Sequence, residues 1–119
     1  LFIEKLFTSE KMKLGNLSYI FCSDEHLLTI NNDFLKHDFY TDVITFDLSS
    51  SKNEIEGEVY LSVDRIKDNA KQLGVSFKEE LHRVIFHGAL HLCGYKDKKK
   101  EEALIMRSKE NKYLKRYQI

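Results

Sequence analysis

The 119-residue sequence has no proline and no tryptophan, only two cysteines, and 19 basic side chains that cancel 19 acidic ones. Each shortage excludes something. Two cysteines cannot form a disulfide scaffold, so Cys22 and Cys93 are expected as apolar fillers of a strand and a helix in a reducing, cytoplasmic setting. Zero net charge gives no general pull toward nucleic acid, membrane or acidic substrates. Nucleic-acid affinity would need a local patch such as Lys96, Lys98, Lys99 and Lys100, a run that equally suits a solvated helix start. No apolar run approaches the roughly 20 residues needed to span a bilayer, and no secretory signal is recognisable. With proline absent, punctuation must be read from Gly, Asn, Asp and Ser. The chain opens on Leu1 rather than Met, so the first element is expected to be incomplete.

What is present is the material of a folded protein. The sequence is 42% hydrophobic and 32% charged, with eight phenylalanines and six tyrosines. That length and balance support one domain over residues 1–119 with one core. The periodicity predicts a helix over 1–13 with Ile3, Leu6 and Phe7 inward, stopped by Gly15 and Asn16. A strand follows at 17–22, then a helix capped at Ser23–Asp24 and running to Leu35 with Leu27, Ile30 and Phe34 inward. Alternation over 41–48 and 54–62 predicts an antiparallel pair. A helix over 63–73 presents Ile66, Ala70 and Leu73 to the core and ends at Gly74. Ser76 and Glu79 form a Ser-x-x-Glu helix start. An amphipathic helix over 98–117 closes an α+β fold: a small mixed sheet packed with helices, with the functional site on a buried central helix.

That central helix carries the chemistry. From Val84 to Cys93 it is apolar on every side except for His87 and His91, so it should be buried. Four residues turn a helix by about 400°, which places the two imidazoles one turn apart on one face. Two imidazoles buried without partners would each cost about 1–3 kcal/mol, so the pair needs hydrogen bonds or a cation. Gly94, three residues after His91, can adopt the left-handed turn that brings the chain back, and Asp97 lies three residues further on. The set His87, His91 and Asp97 suits one zinc ion, which accepts two histidines and a carboxylate and keeps a fourth position open. Asp97 can alternatively cap the last helix. An open position points to catalysis. The glutamate that zinc peptidases place after the first histidine is replaced by Gly88, which disfavours peptide hydrolysis and leaves phosphodiester cleavage as the better fit.

The stretch His87-Gly88-Ala89-Leu90-His91-Leu92-Cys93-Gly94-Tyr95 resembles the His-Gly-x-Leu-His-Leu-x-Gly-Tyr motif of the YbeY family of rRNA-maturation endoribonucleases. The likeness extends to Thr41-Asp42-Val43-Ile44-Thr45-Phe46 and to Gly57-Glu58-Val59-Tyr60-Leu61-Ser62, and covers about residues 17–97. The resemblance implies an α+β fold, one zinc ion, single-stranded RNA rather than DNA as substrate, and work on 16S rRNA with the ribosomal small subunit. This chain departs from the family pattern at three places. Asp97 takes the position of a third histidine, Leu35 stands where many relatives carry an arginine associated with catalysis, and Tyr40 stands where proline is common. Arg65 or Arg83 could supply the missing charge. His26, His37 and His82 are not expected to be ligands, and Asp42 either orients a group at the site or caps a turn. No general base is identifiable. A zinc-dependent endoribonuclease is the leading reading, a ribosome-assembly factor with a structural metal the second, and a zinc peptidase the third.

Overall fold

The computed structural model describes residues 2–119. In chain order the elements are α1 (Phe2–Ser9), β1 (Leu14–Cys22), α2 (Asp24–Leu35), β2 (Val43–Asp47), β3 (Ile55–Ser62), α3 (Val63–Leu73), α4 (Phe77–Leu92) and α5 (Lys100–Arg116). The sheet order is β1-β3-β2, with β3 parallel to β1 and antiparallel to β2. The fold is therefore α+β with a small mixed sheet, as the pattern required. No helix of the described residues is long and apolar enough to cross a membrane.

In a chain without proline, serine does much of the punctuation. Ser23, Ser62 and Ser76 stand at the N-caps of α2, α3 and α4, and each side-chain oxygen accepts the backbone N–H three residues on, at 3.1, 3.1 and 3.0 Å. These bonds satisfy amides that the helix itself leaves orphaned.

The two faces of the sheet bury different partners. On β3, Ile55, Gly57, Val59 and Leu61 alternate as buried positions and join the main core with Val84, Phe86, Ala89 and Leu90 of α4. On the opposite face Ile44 packs with Leu27 and Ile30 of α2, edged by Phe46 and Tyr60. Gly57 and Gly88 let α4 lie close on the sheet. A Cβ at position 88 would come within 2.8 Å of the Val59 side chain, and one at 57 within 2.8 Å of Leu92.

Three expectations need correction. The first helix stops at Ser9 rather than running to Lys13, because Lys11 takes a left-handed conformation and Met12 donates its N–H back to the Phe7 carbonyl at 2.9 Å. Gly15 and Asn16 then lie inside β1, at a register irregularity, and do not end a helix. Phe34 is 70% exposed, since β2 is the sheet edge and Phe46 meets the Phe34 ring merely edge-on at 6.0 Å. Leu73 is 60% exposed, because the turn at Gly74 (φ 69°) ends α3 there and folds Val75 back to bond the Ala70 carbonyl.

Candidate metal centre

His87 and His91 project from the last two turns of α4, the helix in contact with α1, α3, α5, β2 and β3. Its end is built by the glycine the sequence singled out. Gly94 has φ 105°, and Tyr95 N–H bonds back to the Leu90 carbonyl at 3.1 Å. The reversal returns residues 95–97 toward the imidazoles. His87 Nε2 then lies 3.0 Å from His91 Nε2, and Asp97 Oδ2 lies 3.2 Å from the first and 3.5 Å from the second. Two ligand atoms bound to a tetrahedral zinc at about 2.0–2.1 Å are themselves about 3.3 Å apart, so these separations fit one such ion.

The tautomers are set from behind. His87 Nδ1–H donates to Glu110 Oε2 at 2.6 Å, and His91 Nδ1–H donates to the Tyr95 carbonyl at 2.9 Å. In the neutral rings, with each Nδ1 holding a proton, each Nε2 presents a lone pair. The two imidazoles and the carboxylate oxygen thus converge in a way that calls for one positive charge among them, carried by a metal ion or by a proton on His87. The titration pattern agrees. Burial lowers the His87 pKa, but the hydrogen bond and charge of Glu110, with Asp97 and Asp42, outweigh it and leave it raised. Burial and the neighbouring His87 charge hold His91 below its ordinary value. One positive charge fits between them, and a second does not.

Asp97 does not cap the final helix. That position belongs to Lys99, whose N–H is taken by the Glu102 side chain at 3.0 Å. Cys93 falls one residue past α4, and burial pushes its thiol up to about 12, so it acts as filler and not as nucleophile.

Glu110 was not foreseen. It sits on α5 among buried Met106, Tyr113 and Leu114, four residues after the first and three and four before the others. An acid in an apolar stripe at helical spacing was the signal available. Glu110 binds His87 and also takes Arg83 Nη1–H at 3.2 Å. Tyr95 is positioned in turn, since its hydroxyl donates to Glu10 Oε1 at 2.6 Å. Glu10 also receives the Tyr113 hydroxyl and Lys109.

Two hollows meet at the centre. A groove of about 490 Å³ runs from Leu35, His37 and Phe39 to His91, Asp97 and Lys98. His37 stacks on Phe39 at 5.0 Å. A second cavity of about 320 Å³ lies on the other side of His87, reaching Glu80 and Arg83. Asp42 borders both. Burial raises its carboxyl pKa, the nearby His87 charge opposes that, and its Oδ2 accepts Asn69 Nδ2–H at 3.3 Å. The lead-in to β2 therefore places Asp42 at the site. Of the two arginines proposed to replace the missing one, Arg65 is held by Asp24 at 2.6 Å beneath the Tyr40 ring, while Arg83 borders the cavity next to His87. His26 and His82 are outside both hollows; His82 Nδ1 contacts the Lys78 carbonyl at 2.7 Å.

Comparison with known proteins gives one answer. The family model described as Endoribonuclease YbeY matches residues 2–118. An Endoribonuclease YbeY of Cytophaga hutchinsonii is 57% identical over 102 residues, covering 86% of this chain and 71% of the relative. One from Flavobacterium psychrophilum is 47% identical over 117 residues, covering 98% and 83%. The solution structure of TM1509 from Thermotoga maritima matches with a TM-score of 0.63 at 27% identity, over 98% of this chain and 79% of that one. With the family model matching nearly the whole length and relatives of that name 47% and 57% identical, the chain belongs to the endoribonuclease YbeY family.

Proposed function

We propose that the chain is a zinc-dependent, single-strand-specific endoribonuclease that acts in the cytoplasm on 16S rRNA during maturation and quality control of the ribosomal small subunit, with His87, His91 and Asp97 holding one zinc ion. The observation that supports it best is the convergence of two Nε2 atoms and one carboxylate oxygen within 4.8 Å of one another. Zinc held there supplies Lewis-acid polarisation of the scissile phosphodiester. The protein does the rest. Glu110 and the Tyr95 carbonyl fix the ligand rings. Lys98 at the groove mouth can pair with a flanking phosphate, and the exposed His37–Phe39 stack offers a platform for an unpaired base. A stacked A-form duplex could present neither its bases nor a bent phosphate to such a recess.

Gly88 argues against peptidase chemistry more strongly than composition alone could. The position where a zinc peptidase carries its glutamate base faces Val59 and Thr45 of the sheet, with no room even for a methyl group. The assembly-factor reading draws on Leu35, which borders the groove where the family's arginine would stand.

The test begins with elemental analysis of the purified protein. About one zinc per chain is expected, lost in His91→Ala. Single-stranded RNA should be cut and duplex RNA and casein spared. Activity should fall on chelation and return with zinc. Equal cleavage by His87→Ala from an identical purification would assign the activity to a contaminant. No cleavage by either protein, with small-subunit binding intact, would favour the assembly factor.

A further inference from the structure

The metal centre leaves the cavity beside it unexplained. Glu80, in the first turns of α4, is 5% exposed, and its Oε1 is buried with no hydrogen-bond partner. Burial raises its pKa, the charges of Asp42 and Glu110 add to that, and those of Arg83 and Arg107 oppose it. An acceptor buried this way costs about 1–3 kcal/mol unless something supplies a proton donor. Three other charged or titratable groups of the cavity are committed. Arg83 and His87 are bound to Glu110, and Asp42 holds Asn69. Arg107 touches Glu110 only at 3.9 Å and its side chain is 58% exposed, so it is free to reorient.

A second metal ion does not answer to this geometry. Among the described residues the one group of three side chains that converge on a point is His87, His91 and Asp97. An organic donor of N–H groups entering the cavity would supply the missing partner. Glu80 and His87 are seven residues apart on one helix face, about 10 Å along the axis. That span matches the reach from a nucleotide's phosphate to the far edge of its own base. A volume of about 320 Å³ accommodates a purine.

We propose that the cavity is a nucleobase subsite selective for guanine, with the Glu80 carboxylate accepting N1–H and N2–H and Arg107 donating to the O6 edge. The proposal rests on the endoribonuclease reading for the source of the base. Guanine is the base whose Watson–Crick edge sets two N–H donors side by side. Adenine and cytosine offer one amine beside a ring nitrogen lone pair, and uracil flanks its single N–H with two carbonyls. An ionised carboxylate is repelled by each of those lone pairs. Arginine is a favoured partner for guanine O6 and N7.

The experiment is isothermal titration of the zinc-loaded protein with 5′-GMP, 5′-AMP, 5′-CMP and 5′-UMP. All four carry the same phosphate, so differences among them report the base alone. GMP should bind about tenfold more tightly than the other three. Glu80→Gln should reduce that preference to within about twofold, with zinc stoichiometry retained and the melting temperature no lower than that of the wild type, since no protein partner of Glu80 is lost. Equal affinities, no binding by any nucleotide, or an undiminished preference in Glu80→Gln would each overturn the proposal. The wild-type ranking decides even if the variant fails to fold. Guanine selectivity without RNA cleavage would keep the subsite and remove the nuclease reading. Cleavage without guanine selectivity would do the reverse.

Discussion

Four of the carboxylates around the machinery of this fold fall into two kinds. Glu10 and Glu110 are saturated with donors from the protein itself: two tyrosine hydroxyls and a lysine for the first, an arginine and a histidine for the second. Glu80 has a buried oxygen with no partner, and Asp97 faces the two histidine Nε2 atoms at the proposed ion site. The first kind joins α1, α4 and α5 to one another. The second leaves its bonding capacity for something from outside. Sites that bind ligands commonly sacrifice stability in this way, and the difference can be broken open by removing each carboxylate in turn.

The largest loss should come from Glu110→Ala. Arg83 would be left a buried cation and His87 Nδ1–H a donor without an acceptor, and breaking such a pair costs about 3–5 kcal/mol. Chemical denaturation measures that change. Because the imidazole would also lose its fixed tautomer, zinc affinity should fall about 10–100-fold in the variant fraction that folds. Unchanged stability would mean that the ion pair merely accompanies the packing of α5.

Glu10→Ala should come next, at about 2–4 kcal/mol, since it strands the hydroxyls of Tyr95 and Tyr113. Its pH dependence has a definite sign. Burial alone would raise the Glu10 pKa, but the bonds from Tyr113, Tyr95 and Lys109 outweigh it and the folded value is lowered. The stabilisation is therefore fully present above the ordinary glutamate pKa and drains away as pH falls through the lowered one. A stability profile from neutral to acid should slope down in the wild type and be flatter in Glu10→Ala.

How much of this division the sequence discloses depends on distance along the chain. His87, His91, Gly94 and Asp97 lie within eleven residues, so helix geometry and one positive-φ turn sufficed to bring them together. The antiparallel pair follows from alternation and the first strand from a β-favouring apolar run, both of which are also local. Glu110 reaches His87 across 23 residues and Glu10 reaches Tyr95 across 85, and no periodicity encodes such pairings. The early end of α1 escaped notice because Lys11, a residue with no turn signature, takes the left-handed conformation usually given to glycine. Phe34 and Leu73 have the right spacing for burial but stand where the sheet and the helix run out.

Glu80→Met should move stability in the opposite direction. The folded-state pKa of Glu80 is raised, so the folded protein resists the ionised form and loses stability as pH climbs above the ordinary glutamate value. Replacing it should gain about 1 kcal/mol near neutral pH and nothing in acid, where wild-type Glu80 is already protonated. A loss at neutral pH would show that Glu80 has a structural partner after all and would place it with Glu10 and Glu110. Adding GMP to the wild type should narrow the gap between the two proteins.

The smallest change in stability is expected at Asp97, and it separates ligation from capping. The residue is 39% exposed in its side chain, Lys99 occupies the cap, and Asp97 shares no bond with α5. Asp97→Ala should therefore stay within about 0.5 kcal/mol of wild type in the presence of a chelator. With zinc the outcome differs. Loss of a ligand should lower zinc affinity and, by linkage, remove the stabilisation that zinc confers on the folded state. Asp97→His should recover both, because imidazole nitrogen is an alternative zinc ligand that this turn can present. Calorimetric melting of the three proteins, each with chelator and with saturating zinc, measures both quantities at once. If Asp97→Ala melts below wild type by the same margin in either condition, Asp97 supports the turn instead of holding an ion, and the third ligand must be sought elsewhere.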